Sequence, residues 1–147
     1  MIRVTLLKNA GEISPADAFE IKAEVSLDDN AGKVPGRLMI FDSKYVPTGN
    51  SKYNKGYMFF LVSAGKNIFR PGAAFGFGKN STQAFGRNIQ LIPGRKYQLS
   101  MVFNASGKVS FYVDQKLNHQ VSVPAGKIVP SAISPVFGDR AGANYQP

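Results

Sequence analysis

The sequence predicts an all-β protein whose two antiparallel sheets pack face to face as a sandwich. Apolar and polar residues alternate with a period of two over residues 19–27, and again over residues 97–123. The chain also has 15 Gly, 9 Pro, 11 Phe and 6 Tyr, which suits many turns around an aromatic core. Its 147 residues are enough for one hydrophobic core, so residues 1–147 are predicted to form a single domain.

The first half of the chain predicts a series of short strands separated by turns. Residues 2–8 and 19–27 alternate as half-buried strands, and a short apolar strand at 37–41 is predicted to be buried on both faces. A long polar loop, DSKYVPTGNSKYNKG, follows at residues 42–56. The chain continues with a strand at 57–62, a turn at 65–66 and a strand from residue 68, which runs into the Phe/Gly alternation of residues 71–78.

The second half is dominated by a three-stranded meander at residues 97–123. It is preceded by a predicted polar loop at 79–86, a strand at 88–92 and a Pro-Gly turn at 93–94. Within the meander, turns are predicted at residues 104–108, where Gly107 is free to take positive φ, and at residues 114–116. Three prolines then punctuate a loop, and residues 136–138 predict a last short strand.

The meander resembles the central part of laminin-G-like domains, which belong to the concanavalin A-like jelly rolls. The residues that carry the resemblance are Tyr97, Val102, Gly107, Tyr112, Val113, Asp114, Lys116 and Leu117. The resemblance implies a jelly-roll sandwich, and it says little about the ligand because this fold hosts lectins, hydrolases, lyases and protein-binding modules. Gln115 stands where the family commonly has Gly, so we expect a longer or differently shaped turn there.

The resemblance also implies a last strand that this chain lacks after residue 138. We expect the strand at residues 2–8 to take the vacant place, since the terminal strands of this fold commonly pair. Two alternatives are that the given sequence stops before this strand and that a partner chain supplies it, because an unpaired sheet edge invites pairing with another molecule. A homo-oligomer or a larger assembly therefore stays open.

The charge balance predicts attraction to anions. Eighteen basic residues against nine acidic ones give a formal net charge of +9. Acidic or sulfated glycans, nucleic acids and anionic surfaces are the partners that such a charge attracts. The basic residues are scattered singly, which favours a broadly positive lectin-like face over a nucleic-acid site, although nucleic acid stays open. No apolar run is long enough to predict a membrane span.

The candidates for catalysis are few. Glu20, Lys22 and Glu24 share one face of a strand, which is similar to a glycosidase motif whose central carboxylate is replaced by lysine. Carboxylates four residues apart on a flat strand lie roughly 13 Å apart, too far for a retaining pair unless the strand bulges. The single histidine, His119, has no evident triad partners, and the chain has no cysteine. The sequence therefore predicts a protein that is not an enzyme.

A calcium ion is the one cofactor that the sequence leaves open. Jelly-roll lectins and laminin-G-like domains often hold Ca²⁺ with oxygen ligands from rim loops. The oxygen-bearing candidates in this chain are Asp28, Asp29, Asn30, Asp42, Asp139 and Asn144. The strong positive charge disfavours metal binding, so no cofactor is predicted.

The leading hypothesis is a noncatalytic, lectin-like or adhesive recognition module that binds an acidic or neutral glycan through rim loops. Aromatic rings stack on sugar faces, and planar polar groups bind hydroxyls and anions. The candidate residues are Tyr45, Asn50, Lys52, Tyr53 and Lys55 in the long loop, with Arg70, Lys79 and Arg87 as an adjacent basic wall. The alternatives are a virion or surface-appendage component and a glycan-active enzyme. An extracellular, surface or virion location is expected.

Overall fold

The computed structural model describes residues 2–6, 18–29, 31, 37–44, 55–130 and 136–137, and none of them forms an α-helix. They form two antiparallel sheets, which confirms the predicted all-β sandwich. The strands are β1 Ile2–Leu6, β2 Ala18–Leu27, β3 Arg37–Asp42, β4 Tyr57–Gly65, β5 Ile68–Gly76, β6 Ser81–Phe85, β7 Ile89–Gln90, β8 Lys96–Asn104, β9 Lys108–Val113, β10 Lys116–Ser122 and β11 Val136–Phe137.

The meander forms the larger part of the five-stranded sheet. In this sheet the order is β1-β2-β8-β9-β10, and β1 is the edge strand beside β2. In the six-stranded sheet the order is β11-β3-β4-β5-β6, with β7 paired to β5. The short strand β11 covers the end of β3, where Val136 and Phe137 pair with Asp42 and Phe41.

Aromatic side chains join the two sheets. The period-two alternation of β2 and β8 places their apolar residues inward, as the sequence predicts. Phe103 of β8 packs on Phe75 of β5 with ring centroids 4.8 Å apart, and Phe111 of β9 packs on Phe59 of β4 at 6.2 Å. The strand at Arg37–Asp42 is buried on both faces, because Leu38 enters this core while Met39 joins a second apolar cluster outside the six-stranded sheet.

The prediction of a loop at residues 79–86 is wrong for residues 81–85. Ser81–Phe85 is a strand, β6, that pairs with β5 from Gly76↔Ser81 to Gly72↔Phe85. The sequence STQAF has only one small apolar residue, Ala84, on its inward face, so its alternation is too weak to predict a strand. The backbone of β5 supplies the hydrogen-bond partners that make this polar segment a strand.

The turn between β9 and β10 is also shorter than expected. Val113 pairs directly with Lys116, so the turn has only two residues, Asp114 and Gln115, with φ of 48° and 70°. These are the positive φ values of a tight hairpin turn, which Gln115 adopts in spite of its side chain. The Asp114 carboxylate accepts a hydrogen bond from the Gln98 N–H at 2.8 Å, which ties the turn to β8 and helps to offset the backbone strain. Gly107 takes φ of 109°, as predicted.

The sandwich has two ends, which matter for the position of the candidate site. At one end, residues 123–130 cross from the five-stranded to the six-stranded sheet. The N–H of Gly126 donates to the Ala105 carbonyl at 2.9 Å, and the N–H of Val129 donates to the Gly76 carbonyl at 3.0 Å. We call this the crossing end. The opposite end carries the turns at residues 66–67 and 114–115 and the connection at residues 86–95.

Tyr57 gives the stability of the sandwich a pH dependence. Its ring stacks on Phe41 at 4.8 Å, and burial raises the pKa of its hydroxyl above the ordinary value of 10.0. Above pH 10 the unfolded chain therefore loses this proton more readily than the folded chain, so stability falls as pH rises. We expect Tyr57→Phe to remove this loss, which is about 1.4 kcal/mol per pH unit.

The measurement is the free energy of unfolding in urea at about pH 9 and about pH 11, for the wild type and for Tyr57→Phe. The two proteins differ only at residue 57, so the difference between the two pH slopes isolates Tyr57. Parallel slopes would contradict the assignment.

Candidate functional site

The structure describes four of the eight predicted site residues. Tyr45, Asn50, Lys52 and Tyr53 lie outside the described residues. The other four, Lys55, Arg70, Lys79 and Arg87, are all exposed. They separate into two pairs at opposite ends of the six-stranded sheet, so the structure does not bring them together in one basic wall.

Lys55 and Lys79 lie at the crossing end. Lys55 precedes Gly56, whose carbonyl accepts a hydrogen bond from the Gly76 N–H at 2.8 Å. Lys79 lies in the loop from residue 77 to residue 80, which begins directly after Gly76 and joins β5 to β6. The backbone of Gly76 therefore places these two lysines at the same end of the sheet.

Arg70 and Arg87 lie together at the opposite end. The Arg70 Nε donates to the Gly86 carbonyl at 3.1 Å, and its guanidinium lies 4.4 Å from the centre of the Phe85 ring. The Arg87 N–H donates to Asn118 Oδ1 at 2.8 Å, and Asn118 Nδ2 donates to the Arg87 carbonyl at 3.2 Å. The five residues of β6 separate this pair from Lys79 by roughly 15 Å.

Two further lysines that the sequence analysis did not select lie at the crossing end. Lys108 begins β9 directly after Gly107, whose carbonyl accepts from the Val123 N–H at 2.9 Å. Lys127 lies between Gly126 and Val129, the residues that tie the crossing segment to both sheets. Both side chains are exposed. We call Lys55, Lys79, Lys108 and Lys127 the lysine group; its members come from four separate segments, and no local motif in the sequence connects them.

A fifth lysine, Lys44, also lies at the crossing end, where the N–H of the adjacent Ser43 donates to the Tyr57 carbonyl, and its side chain is half-buried. Burial lowers the pKa of its ammonium group, the Asp42 carboxylate opposes this, and the Arg37 guanidinium adds to the lowering. Asp42 is fully buried, and its carboxylate accepts a hydrogen bond from the Lys44 N–H at 2.8 Å. This acid is therefore enclosed by the fold and does not present a negative surface.

Most of the other acids in the described ranges lie away from the crossing end. Asp28 and Asp29 follow β2 and Asp114 lies in the β9–β10 turn, all at the opposite end. Glu20 and Glu24 lie on the outer face of β2, where Lys22 Nζ is 3.6 Å from Glu20 and Lys96 Nζ is 3.7 Å from Glu24. The exposed charge of the crossing end is therefore predominantly positive in the part of the chain that the structure describes.

The arrangement of the acids bears on catalysis and on calcium. The pairing of β2 with β8 keeps one regular register from Ala18 to Ser26, so the bulge that would bring Glu20 and Glu24 together does not occur in that strand. Asp42 and the Asp28–Asp29 pair lie at opposite ends and cannot share one ion. Within the described ranges, no group of three histidine, cysteine or acidic residues could hold a metal.

The described residues define a two-sheet antiparallel β-sandwich. No family model and no curated protein matches the chain. The chain is similar to the botulinum neurotoxin serotype D binding domain, with a TM-score of 0.50 and 10% identity over 99% of this chain and 40% of that one. It is also similar to the receptor binding domain of the botulinum neurotoxin C/D mosaic serotype, with a TM-score of 0.49 and 11% identity. That match covers 99% of this chain and 39% of the other.

At such low identity the similarity shows the fold alone. The chain spans about 40% of the length of the solved structures that it matches. The sandwich implied by the laminin-G-like resemblance is thus supported, whereas membership of that particular family is not. No helix that is long and apolar enough to cross a membrane occurs among the described residues.

Proposed function

We propose that this protein is a noncatalytic, lectin-like recognition module that binds an acidic glycan at the crossing end of the sandwich. The observation that carries the proposal is the lysine group, which gathers exposed positive charge from four chain segments on a rigid scaffold. Charges clustered on one part of a surface raise the local concentration of an anionic ligand and speed its association. The overall charge of +9 acts in the same direction.

Single, separated lysines suit a ligand whose anionic groups are also spaced. Each lysine is a compact point charge on a flexible stem, so a set of them accommodates sulfate or carboxylate groups at several orientations. A sulfated glycan presents such groups along a chain of neutral rings. The fold is also found in a protein described as a binding domain, that of botulinum neurotoxin serotype D, which is compatible with a recognition role.

Lys55→Gln/Lys79→Gln/Lys127→Gln is expected to weaken binding to heparin about tenfold or more at low salt. Exposed charge pairs contribute about 0.2–1 kcal/mol each, and 1.4 kcal/mol corresponds to a factor of ten in affinity. Isothermal titration calorimetry with heparin, and with neutral dextran for comparison, measures the effect. Raising the salt concentration should weaken binding of the wild type progressively.

The matched control is Lys66→Gln/Lys96→Gln/Lys116→Gln, which removes the same charge from exposed lysines at the opposite end. Its affinity for heparin should change less than about threefold. Equal losses in the two variants would show that total charge, not the lysine group, attracts the ligand. Absence of heparin binding at low salt, or clear preference for duplex DNA over heparin, would overturn the glycan assignment.

A further inference from the structure

A groove of about 370 Å³ lies open to solvent on the outer face of the five-stranded sheet. It is separate from the lysine group and is lined by Glu20, Lys22, Gln98, Ser100, Tyr112 and Gln115. Strand register explains its shape. Lys22 of β2, Ser100 of β8 and Tyr112 of β9 lie side by side across three neighbouring strands. The small serine stands between two long side chains, so it forms the floor and they form the walls.

The floor of the groove holds a buried hydroxyl to which no described residue bonds. Ser100 is only 3% exposed, and the side-chain hydrogen bonds among the described residues do not include its hydroxyl. The neighbouring serine on this face, Ser110, is 7% exposed and accepts a hydrogen bond from Gln120 Nε2 at 3.2 Å. Buried hydroxyl groups are almost always hydrogen-bonded. Water in the open groove can bond to this hydroxyl, and a ligand hydroxyl that displaces the water would take over the same hydrogen bond.

The walls supply the contacts of a neutral, hydroxyl-rich ligand. The amides of Gln98 and Gln115 each offer donors and acceptors. Tyr112 is half-buried, so part of its aromatic ring remains available for stacking. Glu20 and Lys22 carry opposite charges 3.6 Å apart, which leaves the groove without a net charge. A polar but electrically balanced lining disfavours both an apolar ligand and a strongly charged one.

We propose that this groove binds a neutral saccharide, with the Ser100 hydroxyl and the two glutamine amides bonding to sugar hydroxyls and the Tyr112 ring stacking on a sugar face. Its volume lies in the lower part of the range for small-ligand sites. This site is independent of the lysine group, because Lys55, Lys79, Lys108 and Lys127 do not line it.

The test is an array of neutral oligosaccharides, built from hexoses and N-acetylhexosamines, probed with the full chain in about 0.5 M NaCl. Salt at this concentration screens attraction to the lysine group. At least one neutral glycan should bind. Affinity for that glycan, measured by calorimetry, should fall about tenfold or more in Tyr112→Ala and about fivefold in Ser100→Ala.

Two controls separate the groove from other causes. Glu24→Gln changes the same sheet face outside the groove, and Lys55→Gln/Lys79→Gln/Lys127→Gln changes the lysine group; both should bind the neutral glycan as the wild type does. Ser100→Ala should not lower the melting temperature, since no described residue bonds to the hydroxyl that it removes. The proposal is overturned if no neutral glycan binds, if Ser100→Ala and Tyr112→Ala bind normally, or if Glu24→Gln loses as much affinity as they do.

The two proposals fail separately. If the wild type binds a neutral glycan but does not bind heparin at low salt, the groove proposal stands and the lysine group proposal fails. If it binds heparin but no neutral glycan, the lysine group proposal stands and the groove proposal fails.

Discussion

Phe103→Ala is expected to lower the free energy of unfolding by about 3–5 kcal/mol. Phe103 is fully buried, and its ring lies 5.3 Å from Phe19 on the same sheet and 4.8 Å from Phe75 on the other. Removal of the ring takes away buried apolar surface and leaves a cavity between the sheets, which close-packed neighbours fill only in part. A loss of this size is a large fraction of the stability of a typical domain.

Urea unfolding followed by circular dichroism measures the loss for Phe103→Ala. Val102→Ala is the matched control, because Val102 immediately precedes Phe103 in β8 and its half-buried side chain faces outward. It should cost well under half as much. A loss below about 1 kcal/mol for Phe103→Ala would contradict the position of this ring at the centre of the sandwich.

Gly72→Ala is expected to lower the free energy of unfolding by about 2–3 kcal/mol, from overpacking rather than from a cavity. A Cβ atom at Gly72 would lie 2.5 Å from Phe60 Cε2, 2.8 Å from Phe60 Cζ and 3.0 Å from Phe85 Cδ1. Phe60 is fully buried, with the Arg37 guanidinium 4.1 Å from its ring centre. Its ring therefore has little room to move away.

A double variant tests whether the clash with Phe60 is the cause. Phe60→Leu shortens the side chain that a Cβ at Gly72 would meet, so Gly72→Ala should cost clearly less in the Phe60→Leu background than in the wild type. Additive losses would show that the clash is not responsible. The lysine group lies away from Gly72, so folded Gly72→Ala protein should bind heparin as the wild type does.

The two proposed sites make different demands on the sandwich. The lysine group uses loops and strand ends, which the crossing segment holds together through backbone hydrogen bonds to both sheets. The groove uses the middle of a regular sheet, where β2, β8 and β9 set the spacing of its lining residues. Salt separates them, since it weakens attraction between exposed charges and leaves hydrogen bonding and stacking largely unchanged.

The position of the candidate site could be predicted only in part. Polar segments of the sequence indicate Lys55 and Lys79, and both lie at the crossing end. The same local pattern groups them with Arg70 and Arg87, which the structure places at the opposite end of β6. No local pattern indicates Lys108 and Lys127, because each resembles an ordinary solvated residue within its own segment.

Local patterns in the sequence are enough to predict the β class, the meander and the inward face of most strands. These follow from local physics, because a period of two assigns alternate side chains of a strand to opposite faces, and Gly107 permits the positive φ of its turn. The strand at Ser81–Phe85 and the two-residue turn at Asp114-Gln115 become visible only in the tertiary structure. The same holds for the four distant lysines that share one end and for the position of Ser100 on the floor of a groove. Each of these depends on which strands become neighbours, and hydrogen bonding between segments far apart in the chain is set by packing of the whole core, which no local pattern encodes.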